Sequence, residues 1–178
     1  VADELFRKGL AHAGLSANGG VDDSIFRIAT KNKIRITRTG VTVGIDSPFK
    51  AVRAFKKSKL DDLRCFAKTV EQLESDIDAM RIRANAWAKG DIAVIQNLSF
   101  AERDEACSDA IMNSVLSELQ PEILTMKSKA RDSWLAAAEK SLATNKSTFA
   151  MLKMKDILDS KGLVAALEAK GYLVEKPE

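Results

Sequence analysis

Between Leu60 and Trp87 the apolar residues Leu60, Leu63, Phe66, Val70, Leu73, Ile77, Met80, Ala84 and Trp87 step by three and four positions. That spacing returns to one side of an α-helix and fits no strand, whose side chains alternate. The stretch predicts one long amphipathic helix of about eight turns, stopped by Gly90. A seam of that length has to be covered. The amphipathic patterns around it can cover it as an internal core, and the alternative is a homodimer through Leu60–Trp87.

Further helices are predicted by the same periodicity. Residues 3–14 carry Leu5, Phe6, Leu10 and Ala13 on one side and end at Gly14. Asp22 or Asp23 can cap a second helix through Ile25, Ile28 and Ala29. Ser47-Pro48 opens a third. Ser99-Phe-Ala-Glu102 has the form of a capping box before Ala106, Ala110, Ile111, Val115 and Leu119. Past Pro121, a helix from about Glu122 to Ala143 turns Ile123, Met126, Ala130, Trp134, Ala137 and Leu142 inward. Ser160 can cap a last helix holding Leu163, Val164 and Leu167, and Gly171 suits the left-handed position after it.

Four short runs read as strands. Lys33–Arg38 and Val41–Ile45 alternate in polarity on either side of Gly40. Phe149–Leu152 is short and apolar, and Tyr172–Glu175 closes the chain. Together these patterns predict an α/β (α+β) fold, rich in helix with a small mixed sheet, in a single domain over residues 1–178.

Composition narrows the function classes. Apolar residues make up 46% and charged residues 30% of the 178, so the chain has the means for a globular core. The 28 basic and 25 acidic residues leave a net charge of only +3, spread in alternating signs. A nucleic-acid partner is not indicated. The one basic run, Lys50, Arg53, Lys56, Lys57 and Lys59, reads as a solvated helix face. No apolar run reaches the ~20 residues of a membrane span. Cys65 and Cys107 read as two buried thiols, or as one disulfide if the protein is exported. The chain opens Val-Ala-Asp without Met, consistent with removal of a leader or a longer N-terminal region.

The motifs of common chemistries are missing. His12 is the one histidine, next to Gly14 at a helix end, and reads as a surface or capping group. There is no HExxH, no CxxC pair, no EF-hand loop and no Gly-rich phosphate loop. Arg131 stands three residues before Trp134, so the two share a helix face. One reading stacks the guanidinium against the indole. The other places it over the turn at Lys153–Asp156 to bind a carboxylate.

Arg131-Asp-Ser-Trp134, Phe149, Gly162-Leu163, Leu167 and Gly171-Tyr-Leu-Val174 resemble the C-terminal half of the TraB/GumN family, which includes the Tiki metalloproteases. Upstream, Gly20-Val-Asp22 before Ile25 and Ala29, and Trp87 before Gly90-Asp91, are similar to further family motifs, so the resemblance spans about residues 3–175. It implies a relation to divalent-metal hydrolases and peptidases with two Gly-x-x-His motifs and an acidic residue, and a bacterial periplasmic or extracytoplasmic location. In register with the family, Lys153 stands for the glycine of one motif, Asp156 for its histidine, and Asp132 for the asparagine after the arginine. The acidic position falls near Arg38 or Thr39. The other Gly-x-x-His is expected in an N-terminal strand segment that this sequence lacks.

Asp156 and Arg131 are thus the candidate catalytic residues and Asp156 the candidate metal ligand. One carboxylate beside two lysines is a poor cation site. The resemblance with altered site positions implies a domain without its metal site or cofactor, binding a peptide or protein. Two alternatives stand beside it: a hydrolase that takes part of its ligand set from the N-terminal segment, and a helical dimerisation module.

Overall fold

A computed structural model describes residues 1–16, 20–58, 61–75, 77–97 and 103–175. Every regular element among them is helical: α1 (Ala2–His12), α2 (Gly20–Lys31), α3 (Pro48–Lys57), α4 (Leu63–Ser75), α5 (Ile77–Lys89), α6 (Ile92–Asn97), α7 (Arg103–Met112), α8 (Val115–Leu119), a 3₁₀ turn (Pro121–Thr125), α9 (Met126–Thr144), α10 (Met154–Leu158) and α11 (Leu163–Ala169). The fold is all-α, and the expected α/β sheet is absent from the described residues.

The reason is visible where two of the expected strands should begin. The amide of Ile34 donates to the carbonyl of Ala29, and that of Lys33 to Thr30, closing α2 with Lys33 at φ 56°. The amide of Tyr172 likewise donates to Leu167, and that of Gly171 to Glu168, closing α11 with Gly171 at φ +91°. Both patterns are the Schellman cap, in which the first amides after the helix satisfy its last carbonyls. An amide used in a cap cannot also start a sheet ladder. In the other two runs apolar side chains stay in water, with Ile45 49% and Phe149 74% exposed. Alternating polarity marks a face, but a strand exists only when a neighbour pairs its backbone.

The residues fall into two compact units. Unit 1 comprises the described parts of 1–17 and 44–124, and unit 2 those of 18–43 and 125–176. Unit 1 is built around α4, which packs against α1 and α7. The disulfide Cys65–Cys107 ties α4 to α7, so the two cysteines are one crosslink and not separate thiols. One turn along α4, Thr69 accepts a hydrogen bond from Arg103 Nε at 3.2 Å, one turn back along α7. The pairs 65–107 and 69–103 make the two helices antiparallel.

The long apolar seam is divided between α4 and α5. Residue 76 and Leu60 lie outside the described residues, as does the Ser99–Glu102 capping box. At the last described residue of α4, Ser75 Oγ donates back to the Glu71 carbonyl. The buried stripe of α4 is also displaced from the expected one. Cys65 and Thr69 are buried, while Leu63 is 76% exposed and Trp87, on α5, 61%. The expected glycine stops are borne out: Gly14 follows α1 and Gly90 follows α5, each with a positive φ.

Candidate functional site

In unit 2, α9 and α11 run side by side in the same direction. Arg131, on α9, donates from Nη1 to the Lys161 carbonyl at 3.0 Å and from Nη2 to the Gly162 carbonyl at 3.2 Å. Two turns further on, Lys170 Nζ donates to Glu139 Oε2 at 2.9 Å. Both 131–162 and 139–170 are separated by 31 residues, so the helices share one register over this length. The planar fork of arginine holds two carbonyls at once in a fixed geometry, which the rotatable ammonium of lysine does not impose. These carbonyls open the first turn of α11, where Gly162 is the N-cap. Ser160, the expected cap, lies before it.

Asp156 sits in the same turn. It belongs to α10, and Gly162 packs onto its backbone: a Cβ at 162 would lie 2.5 Å from the Asp156 carbonyl oxygen and 2.9 Å from that of Asp159. The Gly162 amide donates to the Asp159 carbonyl at 2.8 Å, and the Lys161 amide to Asp159 Oδ1 at 2.8 Å. Glycine is required at 162 because backbone stands where a side chain would begin. The fold therefore brings Arg131 and Asp156 to the two sides of one tight turn. The guanidinium is spent on main-chain oxygens, holding the turn's shape.

The donor set at this turn does not fit a divalent cation. Asp156 is flanked by the exposed Lys153 and Lys155, with a guanidinium on the far side of Gly162. A hard cation takes six or more oxygens, several of them anionic. Among the described residues no group of three or more His, Cys, Asp or Glu side chains is placed to hold a metal ion. His12 lies in the last turn of α1, exposed.

Sequence reasoning missed the most connected polar group of unit 1. Arg103 is buried, with 8% of its surface exposed. Besides Thr69 it reaches Asp3 Oδ1 at 3.2 Å and Asp104 Oδ1 at 3.3 Å, and its guanidinium carbon lies 4.1 Å from the centre of the Phe6 ring. Thr69, fully buried, donates in turn to the Cys65 carbonyl at 2.7 Å. The signal lay in spacing: Cys65 and Thr69, like Arg103 and Cys107, stand four residues apart on one helix face. This cluster joins α1, α4 and α7, and its groups satisfy one another.

No curated protein and no solved structure matches the chain. The sequence model of the TraB/PrgY/gumN family matches residues 5–176, which takes in Arg103 with Thr69 and the turn held by Arg131, and the chain therefore belongs to the TraB/PrgY/gumN family.

Proposed function

We propose that this chain is a non-catalytic member of its family that binds a peptide or protein in an extracytoplasmic compartment. The observation that carries the reading is the turn at 153–162. Asp156 stands between Lys153 and Lys155, Asp159 accepts from the Lys161 amide, and Arg131 is committed to the carbonyls of Lys161 and Gly162. None of these arrangements suits metal-assisted hydrolysis. The peptide partner is supported by the irregular segments of unit 2, which leave Ile34 59%, Phe149 74% and Leu173 89% exposed. Such segments can take up an extended chain by main-chain pairing and apolar contact. The compartment is supported by the Cys65–Cys107 crosslink, since disulfides persist where the surroundings are oxidising.

The test is incubation of the purified chain with a mixture of unfolded peptides, with and without manganese, cobalt or zinc. Mass spectrometry is expected to find no cleavage, and anisotropy to find saturable binding of apolar extended peptides. Metal-dependent cleavage that disappears in Asp156→Ala would sink the reading. If some activity is found, Asp156→Ala is expected to leave it intact.

A further inference from the structure

Helix α3, Pro-Phe-Lys-Ala-Val-Arg-Ala-Phe-Lys-Lys, has an outward face that the family reading leaves unused. Ala51, buried at 6% exposure, is its seat on unit 1, where α3 packs against α8. The opposite side presents Phe49, 91% exposed, and Val52, 54% exposed, three residues apart on one face. Around them stand Lys50, Arg53, Lys56 and Lys57, all exposed, in a ten-residue helix without an acidic residue. Among the described residues these four cations pair with no carboxylate. Pro48, Phe49, Val52, Arg53, Lys56 and Lys57 line one open surface.

We propose that this face of α3 docks on an anionic lipid bilayer. A bilayer interface offers an apolar layer beneath a negatively charged one, and α3 offers Phe49 and Val52 with Lys56 between them and Arg53, Lys57 and Lys50 along the Phe49 side. The apolar side chains enter the acyl boundary, while the long arginine and lysine stems let their charges rise to the headgroups. A polyanion without an apolar layer would satisfy the cations and leave Phe49 in water. The association is peripheral. No helix among the described residues is long and apolar enough to cross a membrane.

The experiment is co-sedimentation of the whole chain with vesicles of phosphatidylcholine containing phosphatidylglycerol, against vesicles of phosphatidylcholine alone. Binding is expected to the anionic vesicles only, and to fall in high salt. The double variant Arg53→Glu/Lys56→Glu should weaken it roughly tenfold or more, as expected for basic residues at an anionic surface. Phe49→Ser/Val52→Ser keeps every charge and should still weaken it severalfold. All four side chains are exposed, so far-UV circular dichroism and the unfolding midpoint serve as the check that both variants fold. No binding to anionic vesicles, or equal binding by the charge-reversed variant, would overturn the proposal. So would binding by Phe49→Ser/Val52→Ser equal to that of the unaltered chain, since the apolar layer would then take no part.

Discussion

At the residue scale, Thr69 is the most sensitive position in unit 1. Its hydroxyl accepts from Arg103 and donates to the Cys65 carbonyl, in a place with no solvent to replace either bond. Thr69→Val keeps the shape and removes the acceptor, leaving the buried Nε–H of Arg103 without its threonine partner. The expected loss is about 1–3 kcal/mol, read as a lower urea midpoint with an unchanged slope. Replacing both partners, as in Thr69→Val/Arg103→Met, should lose less than the sum of the single changes, because no buried donor is then left unpaired and the carboxylates of Asp3 and Asp104 are exposed to water. Neither residue was singled out in the sequence. A charged residue beside Asp104 and Glu105 looks like surface, and burial of an arginine is decided by what stands opposite.

Among the elements, helix ends were far more legible than strands. A glycine after an apolar periodic run has one physical use, the left-handed cap, and Gly14, Gly90 and Gly171 all take it. Lys33 takes the same conformation without a glycine's freedom, at φ 56°. For that reason the end of α2 looks in the sequence like the start of a strand. Lys33→Gly should raise stability by up to about 1 kcal/mol, the relief of a side chain in the left-handed region net of the added freedom of the unfolded chain. Thermal unfolding followed by circular dichroism tests this, and a fall in the midpoint would count against the cap. The crosslink between α4 and α7 belongs to the same scale. It closes a separation of 42 residues, for which loop-closure entropy gives about 4 kcal/mol. Reduction of the disulfide, or Cys65→Ala/Cys107→Ala, should lower the unfolding midpoint, and hydrogen exchange should report lost protection in α4 and α7.

For the whole molecule, the partition into units could not be read from the chain's order. Residues 1–17 join unit 1 from the far side of a segment that belongs to unit 2. Periodicity is a local property, and it assigns helices without saying which of them meet. The candidate turn was legible as a place, because Arg131, Gly162 and Gly171 carry the family pattern. Its chemistry was not, since the partners of Arg131 are main-chain carbonyls that every sequence possesses. The contribution of α1 to unit 1 gives the prediction at this scale. A fragment of residues 44–124 lacks Asp3 and the Phe6 ring over which Arg103 lies, so it should be less helical and less stable than the same residues in the intact chain. A synthetic peptide of residues 1–17 added to it should restore helicity saturably, as measured by circular dichroism. A peptide carrying Phe6→Ala should do so more weakly.

The constant offset of 31 residues between α9 and α11 divides unit 2 into parts that tolerate change and parts that do not. The two ties depend on the spacing of 131 to 139 in one helix and of 162 to 170 in the other. One residue inserted between Arg131 and Glu139 would turn everything beyond it by about 100° and leave only one tie in reach. Insertions at Thr148–Ala150, between the helices, alter neither spacing. Engineered loops or tags belong in that linker, while the two eight-residue intervals on either side of it behave as fixed rulers.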